Sequence, residues 1–170
     1  MQRTWLMGDD GQVEGVRALP SFQGWNVVAT GDFNRDGITD LMWQNASGQV
    51  TEWFMDNGTR QGAAALPNMA GWNVVADGDF NRDGVGDVIW QNGSGALTGW
   101  LMNDNGQIGR TVQLPTFRNF DVVATGDFDG DGDTDLLWQN GAGQIVEWIM
   151  ANGALQTTRK LPSMPGRAGT

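Results

Sequence analysis

Three stretches of ten residues crowd like charge together: GDFNRDGITD at 31–40, GDFNRDGVGD at 78–87 and GDFDGDGDTD at 126–135. Counted from the first aspartate, each offers side-chain oxygens at positions 1, 3, 5 and 9, with glycine at position 6. Carboxylate and amide oxygens at that spacing, with a backbone carbonyl at position 7, can wrap a hard cation, which suits calcium and its six to eight oxygen ligands. On this template the first site uses Asp32, Asn34, Asp36, the carbonyl of Ile38 and Asp40. The second uses Asp79, Asn81, Asp83, the carbonyl of Val85 and Asp87; the third uses Asp127, Asp129, Asp131, the carbonyl of Asp133 and Asp135. Magnesium demands a stricter octahedron and sheds water reluctantly, so it suits these loops less well. The third loop departs from the others, with Asp129 for asparagine, Gly130 for arginine and an additional carboxylate at Asp133. It is expected to repel itself most when empty and to bind most tightly when filled.

An EF-hand opens in the same way but needs a carboxylate at position 12 and flanking helices. Position 12 here is Trp43, Trp90 or Trp138, each inside a β-prone run. A solvated Asp/Asn turn with local side-chain caps accounts for many single clusters, but three copies at fixed offsets favour a ligand. The same segments explain the charge: they hold 11 of the 20 acidic residues of a chain whose net charge is −10, and the remainder is close to neutral. With no basic stripe to neutralise phosphates, nucleic acid is not expected as a partner. The 170 residues contain neither cysteine nor histidine, which excludes disulfides, thiolate nucleophiles and imidazole-based triads. No apolar run approaches the length of a membrane helix, so membrane insertion is not expected, and the start MQRTWLMGDD is too short and polar for a signal peptide.

The elements that hold these loops repeat with them. Trp25, Trp72 and Phe120 open successive units at spacings of 47 and 48 residues, and Trp5, Trp53, Trp100 and Trp148 form a second series at 48, 47 and 48. Each unit reads as four short β-prone runs: WNVVAT, DLMWQN, QVTEWFM and a weaker stretch ending in ALP, in the first copy. Ala-Ser-Gly, Gly-Ser-Gly, Gly-Ala-Gly and Asn-Gly links supply the positive φ that tight hairpins require. Apolar residues fall on both strand faces, Leu41 and Trp43 one way and Met42 the other. Burial on both faces is expected when each sheet is sandwiched between two others, as blades are around a propeller axis. The fold class is therefore all-β, a β-propeller of four-stranded antiparallel blades.

The pattern Asp-x-Asn/Asp-x-Asp-Gly-x-x-Asp, preceded by glycine and followed by an apolar strand, resembles the FG-GAP or VCBS-type repeat. That family includes the calcium-binding blades of integrin alpha-subunit propellers, Psathyrella-type fungal lectins and many bacterial secreted proteins. GDFNRDG, DLMWQN and EWFMDNG resemble repeats of large bacterial surface proteins. The resemblance implies that each ligand loop joins the first and second strands of a blade. About three calcium ions per chain would bring the formal charge from −10 to −4. Calcium outside the cell fills weak sites that cytosolic levels leave empty, so an extracellular or cell-surface location is expected.

Tryptophans at equivalent repeat positions read first as wedges between blades. A sharper reading makes each WQN triplet a sugar platform: Trp43, Gln44 and Asn45; Trp90, Gln91 and Asn92; Trp138, Gln139 and Asn140. The indole would stack on a pyranose while the amides bond its hydroxyls. Glu52 and Glu147 hold equivalent positions but Gly99 interrupts the series, so paired-carboxylate catalysis is the least supported reading and no enzyme is expected. Residues 1–20 supply half a blade, 21–68, 69–116 and 117–162 one blade each, and 163–170 a Pro/Gly-rich tail. Three and a half blades fall short of the 4 to 8 of a closed propeller. Completion of the ring by a second copy, a dimer first, or by further chain is expected.

Overall fold

A computed structural model describes residues 3–7 and 10–163. Fourteen strands and no helix are present among them. The tail expected over 163–170 lies, apart from Ser163, outside the described residues. Among the described residues no helix is long and apolar enough to cross a membrane.

Strands β1 (Arg3–Met7) and β2 (Val13–Ala18) form an antiparallel pair, the half-blade. Blade 1 is β3 (Trp25–Gly31), β4 (Asp40–Asn45), β5 (Val50–Asp56) and β6 (Thr59–Leu66), paired in that order. Blade 2 is β7 (Trp72–Gly78), β8 (Asp87–Asn92), β9 (Leu97–Met102) and β10 (Ile108–Leu114). Blade 3 is β11 (Phe120–Gly126), β12 (Asp135–Asn140), β13 (Ile145–Ala151) and β14 (Ala154–Leu161). The first strands β3, β7 and β11 neighbour one another, so they line the inside of an open, unclosed arc of blades. Each first strand carries a bulge, at Val27/Ala29, Val74/Ala76 and Val122/Ala124, which adds local twist.

The core lies between sheets and has a direction. Trp43 and Trp53 of blade 1 face the half-blade side with Leu19 and Met55. Trp90 and Trp100 of blade 2 pack with Ala29, Phe33, Met42 and Val50 of blade 1. Trp138 and Trp148 of blade 3 pack with Phe80, Ile89, Leu97 and Leu101 of blade 2. Every indole of the second and third strands thus leans toward the preceding sheet and meets the smaller apolar face of that sheet. Two-sided burial puts near-continuous apolar runs into β8 and β9. A linker aromatic completes two of the seams: Phe22 stacks on Trp25 at 4.6 Å and abuts Trp53 at 4.8 Å, while Phe117 stacks on Phe120 at 4.5 Å and abuts Trp148 at 4.9 Å. Met69 holds the corresponding place at the middle seam.

Candidate metal loops and inter-blade clefts

The three acidic loops join the first strand to the second in each blade and follow one another along the arc. Their aspartates first organise their own backbone. In the first loop Asp32 accepts from the amides of Asp36 (3.0 Å) and Gly37 (2.7 Å), and Asp36 accepts from the amide of Ile38 (2.8 Å). The second loop repeats this with Asp79 accepting from Asp83 and Gly84, and Asp83 from Val85. The third does so with Asp127 accepting from Asp131 and Gly132, and Asp131 from Asp133. The turn requires left-handed backbone twice: at the glycine of position 6 (φ 84, 82 and 95°) and at position 4, where Arg35 and Arg82 adopt φ 62 and 57° and the third loop has Gly130. Glycine at that point removes the Cβ clash that the two arginines carry.

Position 9 does two things. The carboxylates of Asp40, Asp87 and Asp135 are fully buried, and each accepts two backbone amides. Asp40 takes those of Phe33 (3.3 Å) and Met55 (2.8 Å), Asp87 those of Phe80 (3.0 Å) and Met102 (2.8 Å), and Asp135 those of Phe128 (2.9 Å) and Met150 (2.8 Å). Each therefore ties its loop to the far end of the third strand. Desolvation by burial raises the pKa of Asp40 to about 6 and of Asp87 to about 7, against the lowering effect of the amides, and the neighbouring loop aspartates add to the rise; Asp135 is raised for the same reasons. A cation beside these carboxylates reverses that direction. The strand tie is a role the spacing alone did not reveal, because its partners are amides and carry no residue identity.

In the third loop, carboxylate oxygens of Asp127, Asp129 and Asp135 lie within 4.8 Å of one another, close enough to share one ion. The set is all hard oxygen, with Asp131 beside it in the same turn, and this donor chemistry fits calcium. In the first two loops an asparagine replaces Asp129; Asn34 and Asn81 donate to the position-5 carboxylates of Asp36 (3.0 Å) and Asp83 (2.9 Å). The additional carboxylate of the third loop does not join its cluster. Asp133 turns inward, as Val85 does in blade 2, and accepts from the amide of Asn152 at 3.0 Å in the β13–β14 hairpin.

The loops are also chained to one another. The amide of Gly86 donates to the carbonyl of Asp32 (2.7 Å), and that of Thr134 to the carbonyl of Asp79 (2.8 Å). Position 8 of each loop thus holds position 1 of the preceding one. Arg35 lies over Gly84 and Arg82 over Gly132, each arginine reaching the glycine of the following loop.

The WQN triplets divide by residue. Trp43, Trp90 and Trp138 are buried between sheets, so a pyranose cannot stack on them without parting the blades. The Gln44 amide donates to the carbonyls of Met69 and Trp72, both at 3.1 Å, and Gln91 donates to that of Phe117 at 2.9 Å, tying the second strand to the linker ahead of it. Asn45, Asn92 and Asn140 cap the next hairpin by accepting the amides of Ser47 and Gln49, Ser94 and Ala96, and Ala142 and Gln144. Even so, two equivalent clefts open beside these amides. One, of about 450 Å³ between blades 1 and 2, is lined by Gln44, Asn45, Trp72 and Asn73 among others. The other, of about 460 Å³ between blades 2 and 3, is lined by Gln91, Asn92, Arg118, Phe120 and Asp121. Gln139 and Asn140 line neither.

Glu52 and Glu147 lie in different blades. Glu52 is sealed between blades 1 and 2 with both oxygens unpartnered among the described residues, and desolvation, with a smaller contribution from Asp40, raises its pKa to about 8. Glu147 pairs with Arg159 at 3.3 Å.

The FG-GAP-like repeat model matches residues 32–90 and 79–138. No curated protein matches the chain. Among solved structures, a protein of unknown function from Bacteroides caccae is similar over 91% of this chain and 52% of its own, at 16% identity and a TM-score of 0.48. The chain thus spans about half the length of that structure. With two overlapping matches that cover its three acidic loops and the strands between them, the chain belongs to the FG-GAP-like repeat family.

Proposed function

We propose that the protein is a calcium-stabilised, extracellular binding module in which the cation fixes the loops and the clefts between blades take the ligand. The observation that carries the cation is the convergence of Asp127, Asp129 and Asp135 oxygens at the third loop. The first and second loops share its backbone turn and its oxygen positions, with the amide oxygen of Asn34 or Asn81 in place of the Asp129 carboxylate. When bound, calcium supplies positive charge to buried carboxylates whose protonation burial otherwise favours. Asp32, Asn34, Asp36 and Asp40 would hold the first ion, with Asp79, Asn81, Asp83 and Asp87 for the second and Asp127, Asp129, Asp131 and Asp135 for the third. The carbonyls of Ile38, Val85 and Asp133 complete the sets.

Thermal melts with chelator and with 10 mM calcium test this. For sites of Kd about 10⁻⁴ to 10⁻³ M, saturation contributes about 1.4–2.7 kcal/mol per site, so the midpoint rises with calcium. An unchanged midpoint together with no heat in a calcium titration overturns the reading.

For the clefts the supporting observation is their recurrence: the same positions of successive repeats bring amides and an aromatic ring, Trp72 or Phe120, to one concave site. Carbohydrate is the ligand class that amide donors beside an aromatic face suit best. A glycan array read against Trp72→Ala checks it. Binding lost in the variant supports the cleft, and a silent array removes the carbohydrate reading. The paired-carboxylate reading gains no support, since Glu52 is shut between sheets and Glu147 is engaged by Arg159.

A further inference from the structure

Among the described residues, all the exposed large hydrophobic side chains except Val27 of blade 1 lie at the two ends of the arc. Trp5, Met7, Val13 and Val16 lie on the half-blade, and Val123, Phe128 and Leu161 on blade 3. Within the half-blade the four share one face, because Trp5 is directly opposite Val16 and Met7 opposite Val13. Leu6 points the other way, toward Gly58 of blade 1. The open face is the one that in every later blade carries the indoles toward a preceding sheet. Trp5 is 64% exposed, whereas its repeat counterparts Trp53, Trp100 and Trp148 are 1–4% exposed.

What should cover that face is encoded in the alternation of the repeats. Trp5-Leu-Met at 5–7 recurs as Trp100-Leu-Met at 100–102, 95 positions on, followed in both by Asp, Gly-Gln and Leu-Pro at the same offset. Blade 1 matches blade 3 in the same way, Glu52-Trp-Phe-Met-Asp-Asn-Gly against Glu147-Trp-Ile-Met-Ala-Asn-Gly. The hairpins confirm two kinds of blade. Those of blades 1 and 3 are Asn-Gly turns with both residues at positive φ (Asn57 47°, Gly58 73°; Asn152 50°, Gly153 76°). Those of the half-blade and blade 2 carry, among the described residues, one positive-φ glycine each, Gly11 at 76° and Gly106 at 72°. Along the chain the kinds alternate, and inside it the face of blade 1 that carries Val50, Glu52, Phe54 and Leu66 is covered by Trp100, Met102, Ile108 and the Gly106 hairpin of blade 2. Gly106 sits against Phe54 and Glu52, close enough that a Cβ there would lie 2.8 Å from the Glu52 carboxylate. The counterparts of the covered residues are Ile145, Glu147, Ile149 and Leu161 on the outward side of blade 3; Glu147 and Ile149 are buried there, whereas Leu161 at the rim is 38% exposed and no further sheet follows among the described residues. The counterparts of the covering residues are Trp5, Met7, Val13 and Gly11, and among the described residues nothing lies within 4 Å of a Cβ built at Gly11.

We propose that the chain associates head to tail with a second copy of itself, the half-blade of one copy seated on the outer half of the open face of blade 3 of the other. The contact reproduces the outer part of the blade 1–blade 2 seam. Its inner part is not reproduced, because Phe33, the counterpart of Phe128, is covered at that seam by Gly86 of the following acidic loop, which a half-blade lacks. The two surfaces differ, so the contact is heterologous and propagates from copy to copy until it closes on itself or is capped. It does not depend on the cation or on the clefts.

Sedimentation velocity over a wide concentration range tests it, with Trp5→Asp and Leu161→Asp as variants at exposed positions. The wild type is expected to associate and each variant alone to sediment as a monomer. Mixed, the two variants are expected to form a 1:1 complex and nothing larger, since the sound half-blade of Leu161→Asp meets the sound blade 3 face of Trp5→Asp. That rescue also shows that both variants fold. A wild type that stays monomeric at the highest concentration, single variants that associate as the wild type does, or a mixture that fails to pair would each overturn the proposal.

Discussion

Glu52 stands at a position where burial and charge oppose each other. The equivalent Glu147 has Arg159 across the strand pair, but the residue opposite Glu52 is Ala64, and blade 2 avoids the conflict with Gly99. The carboxyl is held protonated, its pKa pushed from 4.5 up to about 8. An acid with a folded pKa above its unfolded value contributes no penalty below about pH 4.5, and then lowers stability progressively until the pH passes about 8. Glu52→Gln removes that titration. Between pH 5 and 8.5 the wild type should lose stability relative to the variant by more than 1 kcal/mol, read as diverging urea midpoints. A parallel pH dependence of the two proteins would contradict this. The acid at residue 52 was plain in the sequence; its lack of a partner was not, because that depends on which residue the fourth strand places opposite.

At the scale of the element, the strand boundaries were legible because turn chemistry and apolar content marked them together. WNVVAT, DLMWQN and QVTEWFM correspond to β3, β4 and β5 to within one residue. Hidden were the ties whose second partner is backbone. Asp40, Asp87 and Asp135 read as ligands only, yet each also joins a loop to the third strand. Asp87→Ala leaves the amides of Phe80 and Met102 buried without acceptors, at roughly 1–3 kcal/mol each. Its unfolding midpoint should therefore fall even in chelator, when no cation is at stake. The gain from calcium should fall in the same variant, so the two effects separate in one pair of denaturation curves. Hairpin glycines allow a second check. Gly106→Ala puts a methyl against Phe54 at a positive φ and should cost 1 kcal/mol or more, whereas Gly93→Ala, with open space around it, should be near neutral.

For the whole molecule, periodicity and two-faced burial announced stacked blades, and the sequence told that indoles would be buried. It left open which neighbour they would face, since alternation along a strand defines two sides without naming them. The chained bonds from Gly86 to Asp32 and from Thr134 to Asp79 show how the acidic loops are coupled once the blades are stacked. Filling one loop should steady the next, so calcium binding is expected to protect the Gly86 and Thr134 amides from hydrogen exchange even when only the third loop is saturated. Exchange at those two amides that ignores calcium would show the loops to be independent.

The alternation of two blade types has a bearing on how such a chain changes in length over evolution. Duplication or loss of a 95-residue pair through unequal recombination joins a half-blade type to the blade type it already meets elsewhere in the chain. No new junction has to be invented, and both outer faces of the product are those of the parent. A shift by one blade instead sets like against like, with an Asn-Gly hairpin where the longer one belongs. Gene lengths in steps of two blades are therefore the ones that selection on folding leaves free to vary.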